Sequence, residues 1–265
     1  MGKSYIADAA VISHIGCERK NNEDNFSFNG DMMPVKKMDE GAFITRRFTQ
    51  TQQLYAVCDG MGGEKFGERA AYLCAYNCSL LYAGLKANKA EEQIKNAIIE
   101  ASDTVYKDMA KHLAKAGGST VALLALIRDT AWIANVGDSR VYLYRNKQLI
   151  QLSFDHSEVN MLRQAGVLTA EKARKSARNV FITQYVGMSS EKRSSNFVYQ
   201  KKQDVRSGDR WMLCSDGLCD LLPEEQIAMI MGNDESAETT ARKLVMTALE
   251  LSGKDNVTVI VVDIK

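Results

Sequence analysis

Four aspartates stand where apolar runs of this sequence begin or end. Asp59 follows LYAVC, Asp138 follows IANVG, Asp216 follows RWMLCS, and Asp255 comes just before NVTVIVV. Because neighbouring antiparallel strands run in opposite directions, the end of one and the start of the next share a sheet edge, so we expect Asp216 and Asp255 to meet there. Each aspartate alone is common turn chemistry, but the four together predict a cluster of carboxylates.

A cluster of unpaired carboxylates indicates bound cations, because their mutual repulsion is costly unless positive charge neutralises it. Carboxylate oxygens favour Mg²⁺ or Mn²⁺ over Zn²⁺, which prefers nitrogen and sulfur. Two such ions about 4 Å apart would activate a water for attack on a phosphoryl group. Arg19, in the polar stretch ERKNNED, is a candidate for binding the phosphate oxygens, although a solvated surface arginine would look the same in the sequence.

The elements that must position these residues come as runs of strands separated by pairs of helices. Apolar residues recur at helical spacing over 64–82, 90–115, 223–231 and 235–251. The predicted strands are YIADAAVISHIG, FSF, LYAVC, STVALLALI, TAWIANV, RVYLYR, QLIQL, NFVYQKK, RWMLCS and VTVIVVDI. Short turns between several strands favour antiparallel pairing, and helices do not alternate strictly with strands. We therefore predict an α+β fold with antiparallel sheets covered by helix pairs.

Residues 153–195 differ from the rest of the chain. They are polar, contain short helical patterns, and carry the basic residues Lys172, Arg174, Lys175 and Arg178. Such a composition is typical of an inserted mobile segment and not of a core element.

Length and charge limit the class of protein. The chain has 265 residues, and its acidic and basic residues number 33 and 34, so neither a nucleic-acid nor a membrane partner is indicated. The longest apolar stretches, such as VALLALI, fall far short of the roughly 20 residues that a membrane helix needs. We expect one domain over 1–265, monomeric, in the cytoplasm and without a signal peptide.

Six cysteines are scattered through the chain without forming a CxxC pair: Cys17, Cys58, Cys74, Cys78, Cys214 and Cys219. Reduced and mostly buried thiols are expected. Cys74 and Cys78 lie four residues apart on a predicted helix, which fits either half of a metal site or core packing, and packing is the commoner case.

Seven motifs, taken together, resemble those of the metal-dependent serine/threonine protein phosphatases, the type 2C or PPM family. They are RKNNED (19–24), VCDGMGG (57–63), GGST (117–120), NVGDSR (135–140), DHS (155–157), CSDGL (214–218) and KDNVTVIVV (254–262). The resemblance spans essentially the whole chain and looks like a stand-alone bacterial catalytic domain. It implies an αββα sandwich of two antiparallel sheets, each flanked by a pair of helices.

The resemblance also implies a site for two Mn²⁺ or Mg²⁺ ions. Asp59 matches the carboxylate that bridges both ions, and the carbonyl of Gly60 matches a further ligand of the second ion. Asp216 and Asp255 match the other direct ligands of the first ion. Asp138, with Asp216, matches the aspartates that bind a weaker third metal in bacterial members.

Residues of RKNNED complete the site that the resemblance implies. Glu23 and Asp24 match acidic residues that hold metal-bound waters, and Arg19 matches the phosphate-binding arginine. Residues 153–195 look like the family's flap, which varies and influences substrate choice. The implied activity is hydrolysis of phosphoserine and phosphothreonine by direct attack of a water that bridges the metals, without a phosphoenzyme.

Met61 departs from part of the family. Animal-type members carry a histidine there that serves as general acid, and methionine cannot donate a proton. The bacterial branch commonly has methionine, so the resemblance still implies activity, with a metal-bound water as the favoured acid. His156 is the other candidate, although a role as anchor of the flap or a loop is favoured for it.

Two other functions compete with this interpretation. A pseudophosphatase that only binds partners is expected to have lost a metal ligand, whereas Asp59, Asp216 and Asp255 are all present. The second competing function is a phosphoesterase that acts on small molecules or nucleic acid, and the near-neutral net charge of the chain argues against a polyanionic substrate. The resemblance implies phosphoprotein substrates and a partner serine/threonine kinase. Cys58 and Cys214 are interpreted as strand packing, with an oxidisable thiol as the alternative.

Overall fold

Two antiparallel β-sheets pack against each other, and helices cover the outer face of each sheet. The computed structural model describes residues 5–62, 66–112, 117–167 and 181–265. The architecture is the αββα sandwich, so the fold class predicted from the sequence is confirmed.

The first sheet has six strands in the order β3–β1–β12–β11–β8–β9. Their bounds are Ala42–Phe48 (β3), Ala7–His14 (β1), Val257–Ile264 (β12), Arg210–Cys214 (β11), Arg140–Arg145 (β8) and Gln148–Gln151 (β9). Every residue of β12 is buried, because the strand is central in the sheet and covered on both faces. Cys214 at the end of β11 is opposite Val259, so the residues after β11 and those before β12 lie at one edge.

The second sheet has the order β10–β7–β6–β4–β2, and β5 pairs with the end of β4. The bounds are Tyr199–Asp204 (β10), Thr130–Val136 (β7), Val121–Ile127 (β6), Gln52–Met61 (β4), Asp24–Phe28 (β2) and Gly118–Ser119 (β5). The prediction that the strand stops before Asp59 is wrong. β4 continues to Met61, because Asp59 pairs with Asp24 on one side and Gly60 pairs with Ser119 on the other.

Helices α1 (Phe66–Gly84) and α2 (Ala90–Lys111) cover the second sheet. The first sheet is covered by α6 (Ala237–Leu251), which packs on β12 and β1, and by α5 (Glu224–Met231). All four helices predicted from apolar spacing are therefore present, while residues 64–65 and 113–115 of the predicted ranges lie outside the described residues. Two shorter helices are α3 (Glu158–Gln164) and α4 (Asp216–Cys219). In the described residues, no helix is long and apolar enough to cross a membrane.

Small side chains bring α1 close to the sheet. The buried face of the helix consists largely of alanine and cysteine: Ala70, Ala71, Cys74, Ala75 and Cys78. Short side chains allow the helix backbone to approach β4 and β2, and this contact places the first turn of α1 beside Gly60. The packing of α1 thus shapes the sheet edge at which Asp59 lies.

Candidate active site

The backbone of Asp59 on β4 is held by two hydrogen bonds to Thr120. Its carbonyl accepts a hydrogen bond of 2.8 Å from the Thr120 amide, and its amide donates to the Thr120 hydroxyl over 3.1 Å. The Thr120 hydroxyl is in turn 2.6 Å from the Ser139 hydroxyl. These bonds fix the position of the Asp59 side chain without using either of its carboxylate oxygens.

Asp59 and Asp216 form a pair at the edge shared by the two sheets. Asp216 opens the short helix α4 directly after β11, and its carboxyl group lies beside that of Asp59. Burial raises the pKa of Asp59 well above its usual range, and the Asp216, Asp24 and Asp138 carboxylates raise it further. Burial and then the Asp255 carboxylate also raise the pKa of Asp216. Repulsion between these neighbouring carboxylates favours either protonation of one of them or neutralisation by a cation.

Asp255 precedes β12 and faces the same edge, as predicted for Asp216 and Asp255. One of its oxygens accepts a bond of 2.6 Å from the Arg19 guanidinium, and the other accepts from the Asn256 amide over 2.8 Å. Arg19 and Asp255 are both partly exposed, so their attraction is weakened by solvent. The arginine therefore lies beside the acidic cluster, where a phosphate would meet both it and the carboxylates.

Gly60 occupies a position that no other residue fits. A Cβ atom built there would lie 2.1 Å from the Gly67 carbonyl oxygen and 2.6 Å from that of Glu23. The Gly60 amide donates to the Glu23 carbonyl over 3.1 Å. A Cβ on Gly67 would be 2.4 Å from Glu23 Oε2 and 3.0 Å from the Gly60 carbonyl oxygen, so these two oxygens flank one small space. The requirement for glycine comes from close approach of α1.

Asp24 lies directly opposite Asp59 in the β2–β4 pair and is buried. The Ser215 hydroxyl donates to its carboxylate over 2.8 Å. Burial raises the pKa of Asp24 to about 7, against the lowering effect of the Thr258 and Ser215 hydrogen bonds. The side chain is thus a buried neighbour of the Asp59–Asp216 pair and does not line the cavity described next.

A cavity of about 220 Å³ opens onto this cluster. It is lined by Arg19, Glu23, Asp59, Gly60, Met61, Gly62, Ile182, Asp216, Asp255 and Asn256. Among these lining residues, Arg19 carries the one cationic side chain, against four carboxylates. Ile182 brings the segment after residue 181 to the rim, whereas Lys172, Arg174, Lys175 and Arg178 lie outside the described residues.

Asp138 lies near this cluster without lining the cavity. Burial raises the pKa of its carboxyl group well above the usual range, and Asp216, Asp155 and Asp220 raise it further. Its Oδ1 atom is buried and has no hydrogen-bond partner among the described residues. A buried carboxylate oxygen without a partner is costly, and its chemistry suits binding of a cation. Asp220 shares this environment: burial and Asp216 raise its pKa to about 6.

The chemistry of these donors fits divalent cations that prefer oxygen. The carboxyl groups of Asp59 and Asp216 are neighbours, the Oδ1 atom of Asp138 has no partner among the described residues, and the Gly60 carbonyl is adjacent. The described carboxylates do not place three oxygens within 4.8 Å of one another. Arg19 holds the Asp255 carboxylate in an ion pair, and binding of an ion would draw the carboxylates of the cluster closer together.

His156 connects the loop of Asp138 to the segment beyond residue 181. Its Nδ1 accepts from the Gly137 amide over 3.1 Å, and its Nε2 is 3.3 Å from the Asn196 carbonyl oxygen. The Thr183 amide donates to the His156 carbonyl over 2.8 Å. Burial lowers the pKa of this histidine, so the neutral ring is favoured. Its contacts are those of an anchor, the role favoured from the sequence.

Three positioning residues were not identified from the sequence. Asn256 accepts from the Glu23 amide over 2.8 Å and donates to the carbonyls of Ile15 and Asn21, so it clamps RKNNED onto the start of β12. Thr120 and Ser215 hold Asp59 and Asp24 as described above. Each of the three lies inside one of the seven motifs. The position of a polar residue in the sequence does not show which distant group it will bind, so their roles could not be predicted.

Comparison with known proteins shows the family and the fold of this chain. The family model for Protein phosphatase 2C matches residues 24–162. Serine/threonine phosphatase stp from Listeria welshimeri is 30% identical over 217 residues, covering 80% of this chain and 84% of that protein. The crystal structure of the Mycobacterium tuberculosis serine/threonine phosphatase PstP/Ppp has a TM-score of 0.80 at 28% identity and covers 97% of this chain and 98% of that chain. The catalytic domain of PstP in complex with two manganese ions gives a TM-score of 0.79 at 27% identity, covering 98% and 99%.

Proposed function

This chain belongs to the protein phosphatase 2C family and is a serine/threonine phosphatase, and we propose that it works with two divalent cations bound at the shared edge of its sheets. The observation that carries the proposal is the half-buried pair of neighbouring carboxyl groups, Asp59 and Asp216, which line an acidic cavity with Glu23 and Asp255. Two neighbouring carboxylates repel each other, and a bound cation relieves this repulsion, so the pair is suited to bind a cation.

Each ligand has a proposed place. Asp59, at the centre of the cluster, would bridge two Mn²⁺ or Mg²⁺ ions, with Asp216 and Asp255 on the first and the Gly60 carbonyl on the second. Glu23 and Asp24 would hold waters of the ions. Asp138, with its unpartnered Oδ1, would bind a weaker third ion together with Asp216. When bound, such ions supply a water of lowered pKa as the nucleophile and neutralise charge on the phosphoryl group.

The chain's own residues orient the substrate and prepare the site. Arg19 would grip two phosphate oxygens with its planar guanidinium, exchanging its contact with Asp255 for the ligand. The bonds from Thr120 keep Asp59 from moving as charge develops, so the site needs little reorganisation during reaction. No cysteine takes part as a nucleophile in this proposal.

The leaving oxygen needs a proton that Met61 cannot give. His156 is buried, its ring nitrogens both contact backbone groups, and it does not line the cavity. We therefore assign the proton to water in the cavity and assign His156 to anchoring the flap.

The substrates we propose are phosphoproteins, with a serine/threonine kinase as the partner that supplies them. We further propose that residues 1–265 act as one monomeric catalytic domain in the cytoplasm, and that the flap, about 153–195, influences substrate choice. The curated relative and the solved structure named above both come from bacteria, in keeping with a bacterial signalling role.

One assay tests the proposed function. The purified chain with Mn²⁺ is expected to release phosphate from a phosphothreonine peptide, and the same preparation is offered an aryl phosphate and a nucleotide. Failure to turn over any of them would contradict an enzyme and favour a binding module. Turnover of the nucleotide alone would contradict a protein phosphatase and favour a small-molecule phosphoesterase.

A further inference from the structure

Three cysteine sulfurs lie together immediately behind Asp59. Cys58 is on β4, and Cys74 and Cys78 are one turn apart on α1. Their Sγ atoms all lie within 4.8 Å of one another, and the three residues are at most 3% exposed. The sequence shows only the pair on the helix, because Cys58 is distant along the chain. We call Cys58, Cys74 and Cys78 the thiol cluster.

The spacing of the thiol cluster suits an ion that bonds three sulfurs. Sulfurs placed 2.3 Å from a common centre, as around Zn²⁺, stand roughly 4 Å apart, so small side-chain movements would complete the coordination. Thiolate sulfur is a soft ligand that selects soft ions over Mg²⁺ or Mn²⁺. The cluster therefore belongs to a different class of site from the acidic cavity next to it.

The net charge of the complex with three thiolates decides which soft element the apolar core can accommodate. The thiol cluster lies in the main apolar core, among residues such as Ala71, Ala75 and Val57. A divalent ion with three thiolates would leave one negative charge there, and an uncompensated buried charge is costly. Trivalent arsenic with three thiolates is neutral. We propose that Cys58, Cys74 and Cys78 form a three-sulfur binding site for trivalent arsenic.

The binding step balances without an oxidant or reductant. Arsenous acid exchanges its three hydroxyl groups for three thiols. Three As–O bonds break, three As–S bonds form, and each hydroxyl leaves as water with a proton from one thiol. Arsenic stays trivalent and every sulfur keeps its oxidation state.

Occupation of the thiol cluster acts on Asp59 through two routes. Cys58 is covalently next to Asp59, and the Cys74 thiol is 3.9 Å from the carbonyl oxygen of Thr120, whose amide and hydroxyl hold the Asp59 backbone. Drawing the three sulfurs together strains the backbone at Cys58 and at Thr120, the two residues that position Asp59. Arsenic binding is therefore inhibitory and is not reversed by added Mn²⁺, a consequence that rests on the proposed function.

Binding is tested by native mass spectrometry and X-ray absorption on the whole chain incubated with arsenite. The wild type is expected to gain one arsenic atom and lose three protons, with three sulfurs around the arsenic. Cys78→Ala is expected to lose that species. Cys219→Ala is the control, because Cys219 neighbours Cys214 and lies outside the thiol cluster, and this variant should keep the species. No arsenic on the folded wild type, only two sulfurs around it, or the three-sulfur species in Cys78→Ala would overturn the proposal.

Phosphatase assays test the inhibitory consequence separately. The wild type should lose Mn²⁺-dependent turnover in step with arsenic uptake, and Cys78→Ala, matched to it in circular dichroism and basal rate, should keep its turnover in arsenite. Uptake without loss of turnover would overturn the link to Asp59. A chain that is inactive before arsenite is added would contradict the proposed function, while the mass and sulfur count would still decide the binding site.

Discussion

Cys58 and Asp59 are consecutive residues of β4, yet they belong to two sites of opposite character. The Asp59 carboxyl group faces a cavity that holds other carboxylates and an arginine, whereas the Cys58 thiol lies among apolar side chains and two further thiols. Oxygen ligands open to solvent suit hard cations that exchange with water, and buried sulfur ligands suit a soft, neutral complex. Alternation of side chains along one strand is enough to place the two sites back to back.

The difference also concerns electrostatic cost. In the acidic cavity, burial and mutual repulsion raise the pKa of Asp59 and of Asp216, so the cluster is destabilised until cations bind. The thiol cluster carries no such cost in its neutral form and contributes to the core as small apolar side chains do. Function at the first site and packing at the second are therefore expected to respond differently to substitution, pH and metal.

The largest effect is expected from Asp59→Asn. The change keeps the side-chain shape but removes the bridging charge, so Mn²⁺-dependent turnover of a phosphothreonine peptide should fall roughly a thousandfold or more, equivalent to about 4 kcal/mol. Thermal unfolding of the metal-free chain should be unimpaired, because a repelling carboxylate has gone. Asp31→Asn, at an exposed ion pair with Arg46, is the matched control and should retain full turnover. A near-normal rate in Asp59→Asn would refute its assigned role.

Gly60→Ala should have the next largest effect. The new Cβ would lie 2.1 Å from the Gly67 carbonyl oxygen, so α1 or the strand end must move, at a cost of about 1–3 kcal/mol. We expect a lower melting temperature and weaker Mn²⁺ binding. Gly84→Ala introduces the same atom where nothing lies within 4 Å, and its melting temperature should not fall. Equal behaviour of the two variants would contradict the close packing at Gly60.

Arg19→Ala should affect substrate binding more than chemistry. Loss of a charged contact to phosphate should raise KM about tenfold, or about 1.4 kcal/mol, with a smaller change in kcat. Steady-state kinetics on the phosphothreonine peptide would show this division. Arg46→Ala removes an exposed arginine away from the cavity and should change neither constant. Unchanged KM and kcat in Arg19→Ala would refute its role in binding phosphate.

The smallest effect is a pH dependence. Burial raises the pKa of Asp24 to about 7 and also raises that of Asp59, so the folded chain without metal binds protons more tightly than the unfolded chain does. Its stability should therefore decrease as pH rises from about 4 towards about 7, and Mn²⁺ must displace fewer protons at higher pH. The rise in melting temperature on adding Mn²⁺ should be greater at about pH 7.5 than at about pH 5.5. A greater rise at the lower pH would contradict the assignment.

The sequence predicted the fold and the convergence of the carboxylates to a large extent. Asp216 follows one predicted strand and Asp255 precedes the next, and antiparallel neighbours place the end of one strand beside the start of the other, so the two residues could be placed at one edge. The extension of β4 past Asp59 could not be predicted, since it depends on the pairing of Gly60 and Met61 with Ser119 and Gly118, which no local pattern shows.

Long-range contacts account for most of what remained unpredicted. The pairing of Arg19 with Asp255 joins residues 236 positions apart, and the approach of Cys58 to Cys74 depends on how closely α1 packs on β4. Local sequence patterns carry no information about distances between residues far apart in the chain. These distances are set by the small side chains of α1 together with the strand order. Asn256 is a similar case, because an asparagine that clamps a distant backbone has the same local sequence as one in a turn.

Calorimetric titration with Mn²⁺ shows directly whether the acidic cavity binds two divalent cations through Asp59. The wild type and Cys78→Ala should each bind two Mn²⁺ ions with similar affinity, with any third ion much weaker, while Asp59→Asn should lose both of the tighter ions. Retention of both tighter ions in a folded Asp59→Asn chain would contradict a two-ion site built on Asp59.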